Sequence, residues 1–302
     1  MEEVDVIPKK VLSRVWWALF FMLVSTLGFQ LFIGVIAHQY LSKLYASDWF
    51  TIVVSALSVV GIGYPVFIFI VRKLPDSERG EVAKLTGPQF VRMFFVCVAF
   101  MYLSNLVGII ISFVISEIKG SEVINPLEEV LYGSNIVLTI LYAVIIAPIL
   151  EEMIFRKFLL NKVRRFGDLP AILISGLAFG MFHLNISQFF YATTLGFIFA
   201  YIAIRTNTIV YSVILHMIIN SIGSIIAPLV LLSGNLYVLT LFSICVLAFI
   251  IIGITLFARN YKGILLEKGV IRLERKREYI LYGGAVLYLL VCISMMVYQA
   301  LL

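Results

Sequence analysis

Long apolar runs recur along this chain and constrain its fold more than any other feature. Runs of about 18–25 apolar residues can cross a bilayer as helices, and this 302-residue sequence contains them from one end to the other. Charged residues make up 13% of the sequence, against about 25% in a typical soluble domain. These features exclude a soluble globular domain and predict an all-α, polytopic transmembrane helical bundle of about eight to nine spans.

The apolar runs and the polar segments between them predict nine helices. They cover residues 15–38, 50–71, 90–116, 134–160, 169–184, 188–204, 208–230, 236–258 and 279–301.

Lysine and arginine sort the predicted loops into two alternating sets. The N-terminus, the segments 72–89, 157–165 and 259–278 and the loop at Arg205 are basic, whereas the other loops contain Lys43 and Lys119 and are otherwise acidic or neutral. Because basic loops stay on the cytoplasmic side of a membrane, we expect the N-terminus to be cytoplasmic and the C-terminus to lie outside. The net charge of +6 is therefore a topology signal, and no nucleic-acid partner is predicted.

The fourth predicted helix carries three charges inside an apolar run, in "APILEEMIFR". Glu152 and Arg156 are four residues apart, so they share a helix face and are predicted to pair. Glu151 is rotated by about 100° from Glu152 and faces something else. Pro148, one turn earlier, removes a backbone hydrogen bond and is predicted to kink or open the helix. The alternative is a purely structural charge cluster that ties helices together.

Two of the three histidines fall in later apolar helices, in "FGMFH" and "HMIIN". Phe179 and His183 share one helix face, and His216 and Asn220 share another, because each pair is spaced by four residues. Measured from the predicted helix ends, Glu151, both histidines and Asn220 lie about 12–21 Å deep at 1.5 Å per residue. The third histidine, His38, is interpreted as an interfacial residue.

A carboxylate, two imidazoles and an amide at one depth suit peptide hydrolysis. A carboxylate beside an imidazole can take a proton from water, and a second imidazole with an amide can donate hydrogen bonds to the oxyanion, at about 3–4 kcal/mol for a good donor. No cofactor is predicted. A zinc ion is the alternative, since two His and one Glu form a known ligand set, but the HExxH spacing that usually provides it is absent.

In order along the chain stand Glu151-Glu152-x-x-x-Arg156, Phe179-x-x-x-His183 and His216-x-x-x-Asn220. Together these motifs resemble the CAAX protease and bacteriocin-processing family, which includes the type II CAAX prenyl endopeptidases and many bacterial membrane proteins. The resemblance implies an intramembrane glutamate-dependent endopeptidase.

By motif position, the resemblance makes Glu151 the base that activates water together with His183, and His216 with Asn220 the oxyanion hole. Glu152, Arg156 and Phe179 would support the site.

The resemblance also divides the chain, into N-terminal transmembrane helices (1–129), core helices of the family type (130–230) and C-terminal transmembrane helices (231–302). The expected partners are the lipid bilayer and a membrane-associated peptide or protein substrate, and the expected location is a bacterial plasma membrane. Two hypotheses stay open beside the protease. One is a non-enzymatic membrane protein, such as an immunity factor, a scaffold or a proton-coupled transporter, and the other is a zinc-dependent form of the same protease.

Overall fold

The computed structural model describes residues 8–47, 49–77, 80–123, 136–271 and 282–301. Within these ranges the chain forms nine long helices. Their bounds are α1 (Pro8–Tyr40), α2 (Phe50–Val71), α3 (Gly87–Lys119), α4 (Ile136–Phe166), α5 (Asp168–Phe182), α6 (Ile186–Thr206), α7 (Val210–Leu232), α8 (Leu236–Asn260) and α9 (Gly283–Leu301).

Eight of these helices are long and apolar enough to cross a membrane, and α5, with 15 residues, is the short one. The described ranges contain no β-strand, only one isolated bridge between Gly167 and Lys268. The predicted all-α transmembrane bundle is therefore confirmed. The predicted starts of the fourth and ninth helices, the boundary at 129/130 and part of the basic segment 259–278 lie outside the described residues.

Local sequence signals set several of the helix ends. Helix α3 begins with a capping box, in which Thr86 and Gln89 each accept a hydrogen bond from the other's backbone N–H. Asn185 and Asn235 accept hydrogen bonds from the first backbone N–H groups of α6 and α8. Helix α3 ends at Gly120 in the left-handed conformation, which glycine adopts without steric cost.

Helices α5 and α6 lie at the centre of the bundle. One buried cluster joins them to α1, α4 and α9, and a second joins α6 to α3 and α7. The outer faces carry large exposed apolar side chains, among them Leu31, Phe69, Ile118 and Tyr237. Such a surface belongs against lipid, and the chain is a multi-pass membrane protein.

The segments predicted to be basic meet at one end of the bundle. Lys162 pairs with Asp76 at 2.8 Å, Asn207 donates to the backbone carbonyl of Glu81 at 2.9 Å, and the backbone N–H of Glu267 donates to Asp168 at 2.9 Å. The loops that lysine and arginine placed on one side of the membrane therefore lie together. That this side is cytoplasmic stays a prediction.

Candidate active site

Helix α4 changes its hydrogen-bond register around the two glutamates. Residues Ile140–Ile146 and Met153–Leu159 form π-helical turns, and Ala147–Glu152 is α-helical. The backbone N–H of Ala147 donates to Tyr142, five residues back, and Pro148 follows with no N–H to donate. The predicted disturbance at Pro148 therefore takes the form of a widened turn, a feature that is frequent at functional sites.

Glu152 and Arg156 form a fully buried ion pair, with 3.2 Å between Glu152 Oε1 and Arg156 Nη1. The pair predicted from their spacing is thus present. Arg156 Nη2 also donates to the carbonyl of Gly196 on α6 at 3.3 Å. A side chain at Gly196 would lie 2.8 Å from the Gly176 Cα on α5. The close approach of α5 and α6 at these glycines therefore depends on their lack of side chains, and it brings the carbonyl within reach of Arg156.

His216 on α7 lies between the two glutamates. Its Nδ1 is 3.2 Å from Glu152 Oε1, and its Nε2 is 3.6 Å from Glu151 Oε2. Because a carboxylate only accepts hydrogen bonds, Nδ1 carries the proton that it donates to Glu152. The second distance is too long for a hydrogen bond, so Nε2 remains open toward Glu151. Glu152 is fully buried, whereas the Glu151 side chain is 18% exposed.

The Phe179 ring on α5 is in contact with three of these polar side chains. The Arg156 guanidinium lies 4.2 Å from its centroid, within the range of a cation–π interaction. His183 and His216 pack edge-on against the same ring, with centroids 4.9 and 5.6 Å away. Phe179 therefore supports the cluster from one side, and its predicted pairing with His183 is observed.

His183 is held by the backbone and not by a carboxylate. Its Nδ1 is 3.0 Å from the carbonyl of Phe179, and it ends α5 one residue before Leu184, whose φ is +55°. Since a carbonyl only accepts, Nδ1 is protonated and Nε2 is left as an acceptor. Among the described residues, His216 is the histidine within ion-pair distance of Glu151.

Asn220, one turn beyond His216, donates from Nδ2 to the carbonyl of Ala143 at 2.8 Å. In the π-helical register the expected donor to Ala143 is the residue five positions on, and that residue is Pro148. The amide of Asn220 therefore takes the place of the missing backbone N–H. An amide group has two N–H donors, so one of them is left for another acceptor.

Helix α6 contributes groups to the site that the sequence motifs do not predict. Phe199 packs on the imidazole of His216, with centroids 5.1 Å apart, and the carbonyl of Gly196 binds Arg156. Neither Gly196 nor Phe199 belongs to a charged or histidine motif. The available signal was the glycine spacing of Gly176, Gly180 and Gly196, which indicates close helix packing.

The described residues contain no group of three or more His, Cys, Asp or Glu side chains that could hold a metal ion. A catalytic zinc site takes three protein ligands around one position. The donor set therefore does not fit the zinc alternative, which stays a matter for direct metal analysis.

Comparison with known proteins addresses the family directly. Residues 133–222 match the family model described as Type II CAAX prenyl endopeptidase Rce1-like. Over this segment, which is under a third of the chain, the chain is similar to that family. The matched segment contains all three motifs, and the predicted resemblance is confirmed.

A curated relative from Bacillus subtilis (strain 168), named "Putative membrane peptidase YdiL", is 34% identical over 85 residues. The aligned part is 28% of this chain and 35% of the relative, so the similarity spans about a third of the relative's length. No solved structure matches the chain.

Proposed function

We propose that this chain is an intramembrane endopeptidase in which Glu151 activates a water molecule for attack on a peptide bond. One observation carries the proposal: His216 lies between two carboxylates, at 3.2 Å from Glu152 and 3.6 Å from Glu151. Arg156 neutralises Glu152, so one carboxylate is left over. A surplus charge in a membrane-spanning helix is costly and marks a functional site.

The two carboxylates have different surroundings and therefore different roles. Glu152 is fully buried and held by Arg156 and His216, so it orients the imidazole. Glu151 is partly exposed, and it is the carboxylate that a water molecule and a substrate can approach. In the reaction Glu151 takes a proton from water as the oxygen attacks the carbonyl carbon, and it then gives that proton to the departing amine nitrogen.

The two histidines differ in the same way. His183 donates Nδ1–H to the carbonyl of Phe179, which leaves Nε2 as an acceptor that assists Glu151 in activating water. His216 donates Nδ1–H to Glu152, and a second proton on Nε2 would balance the charge of the remaining carboxylate. An imidazolium N–H directed at the substrate carbonyl would stabilise the oxyanion.

Asn220 completes the proposed oxyanion site. One amide N–H donates to Ala143 and fixes the side chain, and the second is free to donate to the same oxyanion as His216. A preorganised donor of this kind contributes about 3–4 kcal/mol to transition-state stabilisation. The substrate is proposed to be a membrane-associated peptide or protein, because the site lies within the spans of a multi-pass membrane protein.

The test begins by comparing membrane-associated peptides from cells that produce the wild-type chain with those from cells that produce Glu151→Gln. A peptide cleaved only by the wild type is then incubated with the purified full chain in liposomes. We expect Glu151→Gln, His183→Ala and His216→Ala to lose cleavage. His38→Ala is the matched control. This exposed histidine lies near the end of α1 and packs on Tyr45, which follows that helix. Full cleavage by Glu151→Gln would refute the proposal.

A second function is favoured by the continuous contact from Arg156 through Glu152 and His216 to Glu151. Such chains of ionisable groups also build proton relays in non-enzymatic membrane proteins. Under an imposed pH gradient, a proton relay would change the pH inside liposomes that contain the chain. A pH-sensitive dye would record that change. Proton movement that Glu151→Gln abolishes, without any cleavage by the wild type, would establish the relay in place of the protease.

The zinc-dependent form has its own test. It requires stoichiometric metal in the purified chain and loss of cleavage on chelation. An active preparation with no bound metal would exclude the zinc-dependent form.

A further inference from the structure

A cavity lined by three cationic side chains lies at the loop end of the bundle, where α3 begins and α6 ends. Its volume is about 230 Å³. The cations come from three different elements: Lys84 from the segment before α3, Arg92 from the first turns of α3, and Arg205 from the end of α6. Gln89 and Tyr201 contribute further polar groups to the wall.

These cations have no carboxylate partner. Among the residues that the structure describes, none of the three forms an ion pair. Arg92 donates from Nη1 to Asn260 at 2.6 Å, and its Nε is buried without a hydrogen-bond partner in the described chain. Glu81, the acidic residue of the segment 80–86, does not line the cavity. Three positive charges therefore line one cavity, and no carboxylate in the described part of the chain pairs with them.

The wall that carries Lys84 is fixed by hydrogen bonds on both sides of it. The backbone N–H of Ala83 donates to the carbonyl of Thr206 at 3.0 Å, and that of Leu85 donates to the Tyr211 hydroxyl at 3.1 Å. Asn207 further holds the carbonyl of Glu81. Gln89 accepts from Thr86 through Oε1, so its amide N–H groups are left as donors. The backbone of this wall is thus fixed, and it places Lys84 at the cavity.

The cavity is separate from the proposed active site. Tyr201, Ile202, Arg205 and Thr206 line it, whereas Ala203, Ile204 and Asn207 line a second, smaller cavity that reaches Arg156. The two sets alternate along the end of α6 and therefore point to different faces of that helix. A ligand in the cationic cavity would not touch the glutamates.

We propose that this cavity binds the phosphate headgroup of an anionic membrane phospholipid. The first turns of α3 and the last turn of α6 border it, and the ends of membrane-spanning helices lie at headgroup level. Basic pockets between helices at that level suit anionic headgroups. The volume is below the roughly 300–1,000 Å³ of pockets that enclose drug-sized ligands, so the cavity suits a headgroup whose acyl chains remain in the bilayer. The site is independent of the proposed peptidase activity.

The test measures lipid retained by the full chain, purified from mixed micelles that contain equal amounts of phosphatidylglycerol and phosphatidylcholine, by native mass spectrometry. The wild type should retain the anionic lipid preferentially. Each of Lys84→Gln, Arg92→Gln and Arg205→Gln should lower its affinity about fivefold, as expected for one cation near a membrane surface. The triple variant should lose the preference.

Two controls separate the alternatives. Lys73→Gln and Lys262→Gln remove exposed cations from the same end of the bundle but outside the cavity, and they should leave retention unchanged. Inorganic phosphate at millimolar concentration should not displace the lipid. If the triple variant, or the three single variants where the triple does not fold, retain the anionic lipid as the wild type does, the proposal is wrong. Displacement by phosphate would mark a site for a free anion in place of a lipid.

Discussion

Helix α4 carries two sets of charged side chains whose balance of charge differs. At its loop end, two of the cations each pair with a carboxylate of their own, Lys162 with Asp76 at 2.8 Å and Arg164 with Asp168 at 3.2 Å. In the middle of the helix, Glu151 and Glu152 share a single cation, Arg156. A histidine from α7 lies between them, and Glu152 Oε2 has no hydrogen-bond partner in the described part of the chain.

The difference separates what this fold needs from what a function needs. The loop-end pairs show how the chain satisfies charge where only structure is involved: each of these two cations has a carboxylate of its own. The inner cluster has one carboxylate more than its packing requires, at a depth where an extra charge is costly. Stability alone would favour an apolar residue at position 151, and this is the carboxylate to which the proposed function assigns the chemistry.

The largest effect should come from removing that surplus carboxylate. Glu151→Gln keeps the shape of the side chain and abolishes its basicity, so we expect cleavage to fall by a factor of about 10²–10⁴, the usual contribution of a general base. The free energy of unfolding should change little, because the ion-pair partner of Glu151 among the described residues is His216, and a histidine can release its second proton once the carboxylate is gone. Cleavage rate and thermal stability of the purified chain measure the two effects side by side.

Glu152→Gln should reverse this pattern and damage the fold. The substitution leaves Arg156 buried without its counter-charge, and breaking a buried pair from one side costs about 3–5 kcal/mol. Denaturation in mixed detergent micelles, followed by circular dichroism, measures the loss. The free energy of unfolding of the two variants would then distinguish the roles of the two adjacent glutamates. Equal destabilisation by Glu151→Gln and Glu152→Gln would contradict the division of roles between them.

A smaller effect should come from the link between Asn220 and the proline of α4. Asn220→Ala leaves the carbonyl of Ala143 without a donor, at a cost of about 1–3 kcal/mol. Pro148→Ala restores a backbone N–H in the same register, and in that background Asn220→Ala should cost much less. The double-mutant cycle in unfolding free energy reads out the coupling. Additive effects would show that Asn220 does not substitute for the proline.

If Asn220 is also an oxyanion donor, the same cycle separates its two roles. In the Pro148→Ala background, Asn220→Ala should still slow cleavage although it no longer destabilises the helix. A variant that recovers both stability and full cleavage would leave Asn220 with the structural role alone.

Much of the fold could be predicted from single residues and their spacing. The apolar runs identify the nine helices because a bilayer sets their length, and the spacing of Glu152 and Arg156 identifies their pair because it depends on one helix only. The same holds for Phe179 with His183. Each of these features depends on residues that are close together in the chain, so it can be predicted from the sequence alone.

The contacts between helices could not be predicted in this way. The hydrogen bond from Asn220 to the carbonyl of Ala143 depends on the π-helical register before Pro148. This register decides which carbonyl has no backbone donor, because the residue that would supply the donor is a proline. That His216 lies between both glutamates depends on how α7 is placed against α4. Helix α6 contributes Gly196 and Phe199, an apolar pair without a motif. These positions follow from packing and not from spacing.

The smallest effect should come from the loop-end counterpart of Glu152→Gln. Asp76→Asn is the same carboxylate-to-amide change opposite a cation of α4, Lys162, but the Asp76 side chain is 62% exposed. The Lys162 side chain is only 5% exposed, but it keeps its hydrogen bond to the carbonyl of Leu74 at 2.6 Å. We therefore expect about 1 kcal/mol of destabilisation, the upper end of the range for exposed pairs, and unchanged cleavage. Since the chemical change is the same in both variants, a loss as large as that of Glu152→Gln would show that burial does not distinguish the two sets of charges.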